Sequence, residues 1–482
     1  MRFVRFVRGK CRPFLRLRSG APGHAFISII ILPESPKVKT KEPLTLTFLP
    51  SQGKIYGKKC GASECPGRSW GLHGMYKILK NTEEHTILLP ATLDEHFPLL
   101  KYMFWSKGNA VVPLTESDEF TVREEGLKYS NYDICYPYVL MAGQIMRALR
   151  SGKYDPKKTS VLIPTAGDAC RGACYIGMME KSLQKAGFPD THMVTINVRH
   201  VCNEISLKIT TDTAIRGLFG MFYGDILMML ANQTRPYEAH KGETEALRRR
   251  WYRELSKDIR LGRHLTLRQM RKNFTRIAES FRAIERTGEK RQQIGIVAEF
   301  YAKYCALGNW NLIPYLEEHG CEAIVGGLSW YMLYYVDSHK PAKWGPERVG
   351  FEAVKKLMTH VQTDMLYAMK KAGFHVPSRY EVMDKNSRPY VSHNLTNADG
   401  WLMGAEAVDH IRHGVRKILC NAPFGCLPNV CAGRGVYPNI RREFPDVMLM
   451  VIETDSSGSK LNYYNRVQMV IDTKMPPRQK KS

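Results

Sequence analysis

The sequence predicts an α/β protein in which two parallel-sheet lobes are joined by a mainly helical region. From about Thr82, short apolar runs alternate with amphipathic stretches of helical length. The same alternation returns from about residue 294, and the stretch between the two regions has the pattern of helix. Strands that alternate with helices of about 10–15 residues are typical of parallel βαβ units. A chain of 482 residues is also long enough for two or three such units.

Each predicted lobe is Rossmann-like and contains four strand candidates. In the first lobe these are HTILLP (85–90), AVVPL (110–114), SVLIPT (160–165) and HMVTIN (192–197). In the second lobe they are IGIVAE (294–299), EAIVG (322–326), RKILCN (416–421) and VMLMVIE (447–453). Helices are expected in the first lobe at 93–108, at about 138–151 and at 175–187. The shared rhythm suggests a duplicated plan, although no sequence repeat is evident.

These patterns divide the chain into five predicted parts. They are a basic, partly disordered N-terminal tail and cysteine-containing lead-in (1–81), the first lobe (82–210), a helical connector (211–293), the second lobe (294–474) and a basic tail (475–482). Residues 1–41 carry ten basic side chains and one acidic residue, Glu34. Because low periodicity and many prolines disfavour packing, we expect residues 1–50 to be dispensable for folding.

The net charge of +25 favours an anionic partner, such as nucleic acid, a membrane surface or a phosphate-rich small molecule. Much of the excess lies in the termini and in the arginine-rich connector, where a solvated helix face is the common structure, so nucleic acid is not the favoured partner. The sequence contains no uninterrupted run of about 18 apolar residues, so no transmembrane helix is expected. Arginines interrupt the N-terminal apolar segment, which disfavours a secretory signal. We therefore expect a cytoplasmic protein without a membrane partner.

Four of the twelve cysteines are candidate ligands of a metal or cluster. Cys135 precedes a helix, Cys170 follows the strand at 160–165, Cys420 ends the strand at 416–421, and Cys426 lies in the next loop. Ligands in open parallel sheets gather at the carboxyl ends of strands. Glycines near the thiols would let the backbone approach an anionic centre closely; they are Gly167, Gly172 and Gly425.

Spacing alone leaves three interpretations of these cysteines open. Four thiolates from separate loops suit a four-iron, four-sulfur (4Fe-4S) cluster. Structural zinc prefers cysteines two to four residues apart, roughly as in Cys60–Cys65 or Cys170–Cys174. Burial as unreactive thiols is common for intracellular cysteine and is expected for Cys202, Cys305 and Cys321.

Five segments, in this order, carry a family resemblance. They are LKYSNYDICYPYVLMAGQIMRALRSGKYD, TSVLIPTAGDACRGACYIG, QIGIVAEFYAKYCALGNWNLIPYLEEHGCEAIV, NADGWLMGAEAV with KILCNAPFGCLPN, and NYYNRVQMV. Together they resemble the dehydratase-like C-terminal region of the large activases of 2-hydroxyacyl-CoA dehydratases. The resemblance runs from about Thr82 to Asp472. It implies a multi-lobed Rossmann-like fold that holds a 4Fe-4S cluster between lobes.

The resemblance also implies ligands, a reaction and partners. Cys135, Cys170 and Cys426 match the family's cysteine motifs best, with Cys420 as a fourth ligand of the cluster. The cluster would pass a low-potential electron to a CoA thioester for radical loss of its 2-hydroxyl group, as in a dehydratase-type lyase. No Gly-rich phosphate-binding motif stands before residue 82, so the electron would come from a separate ATP-dependent activase.

Two departures from the family pattern concern activity. Val430 and Cys431 follow CLPN where the family has a histidine, and the late segment IETDSSGSKLNYYN is less acidic than in the family. No catalytic residue is therefore assigned. The alternatives to a redox enzyme are a non-catalytic module that holds a cluster or CoA for a partner, and a zinc-stabilised α/β protein.

Overall fold

The computed structural model describes residues 14–19, 25–30, 46–47, 85–103, 105, 109–115, 118–163, 169–195 and 210–476. The chain divides into two compact units, Met1–Met75 and Tyr76–Ser482. In the first unit, three strands form an antiparallel sheet, namely β1 (Phe14–Ser19), β2 (Ala25–Ile30) and β3 (Leu46–Thr47). Cys60, Cys65 and most of the predicted N-terminal tail lie outside the described residues.

Two four-stranded parallel sheets form the framework of the second unit. The first contains β4 (His85–Leu89), β5 (Asn109–Pro113), β6 (Thr159–Leu162) and β7 (His192–Val194), in the order β5-β4-β6-β7. The second contains β8 (Gln292–Ala298), β9 (Cys321–Val325), β10 (Lys417–Pro423) and β11 (Met448–Thr454), in the order β11-β10-β8-β9. The predicted α/β class with two parallel-sheet lobes is therefore confirmed.

The two sheets share one strand order. In each lobe the first strand in sequence lies between the second and the third, and the fourth lies beyond the third. Successive connections thus run to opposite sides of the first strand, which creates a topological switch point between the first and third strands. The central strands β6 and β10 are buried along their whole length, as expected for parallel strands covered on both faces.

Fifteen α-helices accompany these strands in the described residues. In the first lobe and the connector they are α1 (Phe97–Leu100), α2 (Glu119–Leu127), α3 (Tyr136–Arg150), α4 (Tyr175–Lys185), α5 (Thr211–Thr234), α6 (Glu243–Leu261) and α7 (Leu267–Arg282). In the second lobe they are α8 (Phe300–Tyr304), α9 (Leu312–Glu318), α10 (Leu328–Ser338), α11 (Pro346–Lys371), α12 (Tyr380–Ser387), α13 (Leu402–Arg412), α14 (Tyr437–Glu443) and α15 (Lys460–Asp472).

The helix predicted at 93–108 is the one element that the structure shortens markedly. It forms only at α1 and continues as a 3-10 turn over Lys101–Met103. Pro98 lies in the first turn of α1, where its missing N–H group is tolerated. If the helix began at residue 93, Pro98 would lie one turn further inside it, and the proline ring would clash with the carbonyl group four residues earlier. The helix therefore cannot begin at residue 93.

Helix α5 is the central element of the connector. From Phe219 to Ala231 every residue is buried, which is the pattern of a helix enclosed by protein. Among the described residues, Thr211–Tyr237 is long and apolar enough to cross a membrane, but most of it is buried inside the protein. Helices α6 and α7 instead bury one apolar face and expose arginines on the other, as the sequence predicted.

One continuous apolar core joins the two lobes and the connector. It includes Val161 of the first sheet, Phe222 and Phe274 of the connector, and Ile296 of the second sheet. The predicted boundaries at 82–210, 211–293 and 294–474 therefore divide a region that packs as a single body, and they remain a prediction.

Candidate functional site

The carboxyl-end edges of the two parallel sheets face each other across the lobe junction. After β4, the carboxyl group of Asp94 accepts a hydrogen bond from Ala306 N (2.7 Å), just beyond α8. After β10, Phe424 O accepts a hydrogen bond from Tyr136 N (3.1 Å), at the start of α3. Segments that follow the switch-point strands of one lobe thus contact the other lobe directly. Ligands of doubly wound sheets bind at such edges.

Cys135 lies at this junction as the residue that precedes α3. Its extended backbone and Pro137 in the first turn begin the helix there. The thiol is buried, and its sulfur lies 2.7 Å from the hydroxyl oxygen of Tyr175. Burial raises the pKa of Cys135, the Tyr175 hydrogen bond opposes that rise, and the Glu299 carboxyl group adds to it.

Gly425 allows the two lobes to approach at this point. Its φ of 70° is a left-handed conformation that favours glycine. A Cβ atom at Gly425 would lie 3.2 Å from Cys135 Cα and 2.9 Å from Nη1 of Arg171. The loop after β10 therefore packs its backbone directly against Cys135.

Cys170 begins a short 3-10 turn that leads into α4. Its sulfur accepts a hydrogen bond from Gly172 N (3.4 Å), and the side chain is partly exposed. Burial raises the pKa of Cys170 to about 12, and the neighbouring Cys135 contributes to the increase. The preceding loop, which contains Gly167, lies outside the described residues.

Cys426 comes from the second lobe and precedes a π-helical turn, Asn429–Arg434. It is buried, and Asn429 Nδ2 lies 3.6 Å from its sulfur. Burial raises the pKa of Cys426, and Glu299 raises it further. A π-helical turn at this place is notable because such turns occur frequently at functional sites.

The three cysteines Cys135, Cys170 and Cys426 lie in the region of one buried carboxyl group, that of Glu299. Its oxygens accept hydrogen bonds from Tyr301 N (2.9 Å) and Ala302 N (2.7 Å), which caps α8. After burial, the charge of Glu299 contributes to the raised pKa of each thiol. Gly425, which precedes Cys426, packs against Cys135 and Arg171, and Arg171 follows Cys170, so the three cysteines belong to one region of the lobe junction. We call this set the thiol cluster.

A second buried acid, Asp399, completes the surroundings of the thiol cluster. It accepts a hydrogen bond from Phe300 N (3.0 Å), and its charge raises the pKa of Cys170 and Cys426. Burial raises the pKa of Glu299 to about 7 and that of Asp399 well above its usual range. These acids therefore hold protons at pH values where exposed carboxyl groups have lost them.

One buried ion pair lies near Asp399 in this acidic region. Lys303 on α8 pairs with Glu406 on α13, and both side chains are almost fully buried. The charge of Lys303 opposes the rise in the pKa of Asp399, whereas Glu406 adds to it. A Cβ atom at Gly326 would lie 2.8 Å from Glu406 Oε1, so glycine is needed at the end of β9 to admit the pair.

Cys420, the predicted fourth ligand, has different neighbours. Cys420 lies within β10, and the groups that act on it, Tyr437 and Arg441, belong to α14. Cys420 is fully buried, and burial raises its pKa to about 12, while the nearby Tyr437 side chain of α14 opposes that rise. The other charge that acts on Cys420 is Arg441, not Glu299. The structure thus brings together three of the four predicted ligands and leaves Cys420 in the packed interior of its lobe.

The other cysteines are placed as follows. Cys305 and Cys321 are buried, as predicted, while Cys174 and Cys431 are exposed. Cys202 lies outside the described residues.

The thiol cluster fits a metal centre in donor chemistry. Three soft sulfur donors from both lobes suit iron–sulfur clusters and zinc. Among the described residues, however, no group of three or more His, Cys, Asp or Glu side chains stands at ligand spacing.

Sequence reasoning missed the acids and the lysine of this site. Glu299 and Lys303 occur in QIGIVAEFYAKYC, and Asp399 and Glu406 occur in NADGWLMGAEAV, two of the segments that carry the family resemblance. A carboxylate that directly follows an apolar strand was the available signal for Glu299, since such a position lies at the ligand edge of a sheet. Nothing in the spacing indicated that Lys303 and Glu406 would pair.

The chain matches no protein-family model and no curated protein.

Proposed function

We propose that the chain is an iron–sulfur protein in which Cys135, Cys170 and Cys426 hold a 4Fe-4S cluster at the lobe junction. The observation that carries this proposal is the packing of Gly425, the neighbour of Cys426, against Cys135 and against Arg171, the neighbour of Cys170, so that cysteine-bearing segments of both lobes meet at the junction. A soft, anionic ligand set in a partly buried cleft is what iron–sulfur clusters require.

Burial and the nearby carboxyl group keep the three thiols protonated in the free protein. Ligation needs thiolates, so three protons must leave when iron binds. Glu299, whose pKa burial raises to about 7, is placed to accept one of them. Arg171 acts in the opposite direction to Glu299, because its positive charge lowers the pKa of Cys135 and favours the thiolate.

Three ligands leave one position of a cluster open to a ligand from outside the cysteine set. The proposed set omits Cys420, whose side chain is enclosed between β10 and Tyr437. When bound, a 4Fe-4S cluster supplies one electron at low potential. The resemblance of the chain to the dehydratase–activase family supports a role in the radical dehydration of a CoA thioester, with a separate ATP-dependent activase as electron donor. Glu299 and Asp399 would then be nearby carboxyl groups able to carry protons, beside the Tyr175 hydroxyl group that contacts Cys135.

The test is the iron and acid-labile sulfide content per chain after anaerobic purification. Cys135→Ser, Cys170→Ser and Cys426→Ser should each remove most of the iron, whereas Cys305→Ser and Cys321→Ser, which alter buried thiols elsewhere, should retain it. Cys420→Ser should also retain iron, which separates a three-ligand site from a four-ligand site. Equal iron content in all six variants would contradict the proposal.

Zinc is the second candidate, and the count of three candidate ligands at the junction favours it. Catalytic zinc commonly has three protein ligands and one open position. Stoichiometric zinc without iron or sulfide, lost in the same three cysteine variants, would establish that alternative.

Activity is tested separately from metal content. Anaerobic protein with its iron–sulfur absorbance intact should dehydrate a 2-hydroxyacyl-CoA when an activase and ATP are added. Retained iron without turnover would instead support a module that holds the cluster for a partner.

A further inference from the structure

A basic cleft lies at the opposite edge of the second sheet from the thiol cluster. It has a volume of about 410 Å³, and its lining includes Lys290, Arg291, Gln292, Arg416 and Lys417. Gln292 and Lys417 are the first residues of β8 and β10, whereas Glu299 and Cys426 follow the carboxyl ends of the same strands. A seven-residue strand separates the two edges by about 20 Å.

Four cationic side chains and no carboxylate line this cleft. Arg291 and Arg416 are held in place by carbonyl groups: Arg291 Nε donates to Pro236 O (3.1 Å), and Arg416 Nη2 donates to Asp446 O (3.0 Å). Each arginine also lies near a carboxylate that does not line the cleft. Glu289 lies 2.7 Å from Arg291, and Asp446 lies 3.9 Å from Arg416. These fixed guanidinium groups still have further N–H donors to offer.

Lys417 is the most informative of the four cations. It is 4% exposed, and Nζ donates only to neutral acceptors in the described residues, Gln292 Oε1 (3.0 Å) and Ile471 O (2.8 Å). Burial lowers the pKa of Lys417, as expected for an ammonium group that lacks a close carboxylate partner. A buried charge of this kind is costly unless an anion compensates it.

Lys290 adds a second cation without a carboxylate partner among the described residues. Its side chain is exposed at the mouth of the cleft. Lys417 and Lys290 therefore place two positive charges on one cavity, and neither has a carboxylate within ion-pair distance among the described residues, although Asp472 acts on the pKa of Lys417 from farther away. A monovalent carboxylate would neutralise only one of them, whereas a phosphate group carries about two negative charges at neutral pH.

We propose that this cleft binds a phosphate-bearing small molecule, with Lys290, Arg291, Arg416 and Lys417 as its phosphate ligands. The fixed guanidinium groups suit bidentate contacts with phosphate oxygens, and the lysines supply point charges. The volume exceeds that of one phosphate group and lies in the usual range for small-ligand pockets. The site does not depend on the proposed metal centre, because it uses none of its residues.

The experiment is calorimetric titration of the full-length protein with inorganic pyrophosphate, ADP and adenosine at low and moderate salt. Pyrophosphate and ADP should bind, with affinity that falls as salt rises, and adenosine alone should not. Tighter binding of ADP than of pyrophosphate would identify a nucleotide-type ligand, and the reverse would identify a free polyphosphate.

Variants separate the cleft from the general basic charge of the chain. Lys290→Ala and Lys417→Gln should each weaken pyrophosphate binding roughly tenfold, because each removes a charged hydrogen-bond donor. Lys356→Ala, which removes an exposed lysine of α11, is the matched control and should bind like the wild type. Circular dichroism checks the folding of Lys417→Gln, and exposed Lys290 provides the test if that variant unfolds. Absence of binding at millimolar pyrophosphate, or equal weakening in the Lys356 control, would overturn the proposal.

Discussion

The two lobes share one strand order, yet they contribute different chemistry to the junction between them. The first lobe supplies Cys135 and Cys170, and the second supplies Cys426 with the buried groups Glu299, Lys303, Asp399 and Glu406. Cys170 and Cys426 each follow the third strand of their lobe, and Asp94 and Glu299 each follow the first. Topology therefore fixes where functional residues can lie, while the side chains at equivalent places determine what each lobe does.

The two lobes also differ in how the helix before the third strand packs. In the first lobe, α3 meets α2 through two glycines, since a Cβ atom at Gly143 would lie 1.8 Å from Val122 O and one at Gly126 would lie 2.0 Å from Val139 O. In the second lobe, the counterpart helix α13 contains Gly404, where a Cβ atom would meet only side-chain atoms at 3.3–3.5 Å. The first lobe thus depends on backbone contact between helices, and the second does not.

A large predicted effect tests that difference. Gly143→Ala should lower the free energy of unfolding by about 3 kcal/mol or more, because backbone atoms cannot move aside without separating α2 from α3. Gly404→Ala should stay within about 1 kcal/mol of wild type, since the gain in helix propensity offsets a tight contact. Urea denaturation followed by circular dichroism measures both. Equal losses in the two variants would show that the lobes pack alike.

The next prediction compares two ion pairs, Lys303–Glu406 and Arg248–Glu95. Each pair has one member in the segment that follows the first strand of a lobe. Lys303→Met should cost about 3–5 kcal/mol, because it leaves Glu406 buried without its partner. Arg248→Met should cost about 1 kcal/mol, because its partner Glu95 remains 29% exposed and can be hydrated. Thermal and urea unfolding give both values. The double variant Lys303→Met/Glu406→Leu should recover part of the loss, and a further loss would contradict this account.

A third prediction concerns the pH dependence of stability and the carboxyl groups of Asp94 and Glu299, each of which follows the first strand of its lobe. Burial raises the pKa of Asp94 to about 6 and that of Glu299 to about 7. The folded protein therefore binds these protons more tightly than the unfolded chain, so the associated stability is present below about pH 4 and is lost as pH rises to 6 or 7. Asp94→Asn and Glu299→Gln should each flatten this fall by about 3 kcal/mol. The flattening should end near pH 6 for Asp94→Asn and near pH 7 for Glu299→Gln, as read from unfolding free energies across that range.

The smallest predicted effect isolates contact between the lobes from backbone strain. Gly425 and Gly373 both have positive φ, but a Cβ atom at Gly373 would meet nothing within 4 Å. Gly373→Ala should cost about 1 kcal/mol through strain alone. Gly425→Ala should cost about 1 kcal/mol more, because its Cβ atom presses on the backbone of Cys135. Unfolding free energies of the two alanine variants give the comparison, and identical costs would show that the junction yields freely.

The sequence by itself determined the class of fold and where along the chain each strand of the two sheets lies. Apolar runs of four to seven residues, bounded by Gly, Pro or charged residues, predicted all eight strands near their observed bounds, because a strand buried on both faces must be apolar throughout. The helices expected at about 138–151 and at 175–187 are observed as α3 and α4, with starts within two residues of those expected. Pro98 was the local signal that the prediction of a helix at 93–108 overlooked.

Only the tertiary structure decided how those strands are ordered and which side chains meet. Cys420 and Cys426 are six residues apart, yet one lies within β10 beside α14 and the other lies at the lobe junction, a difference set by the loop at Gly425. Lys303 and Glu406 are 103 residues apart and pair because α8 and α13 come together at the second sheet. The four cations of the basic cleft likewise meet because β8 and β10 are neighbours. Local sequence sets the propensity of each segment, whereas contacts between distant segments arise only from the packing of the whole chain.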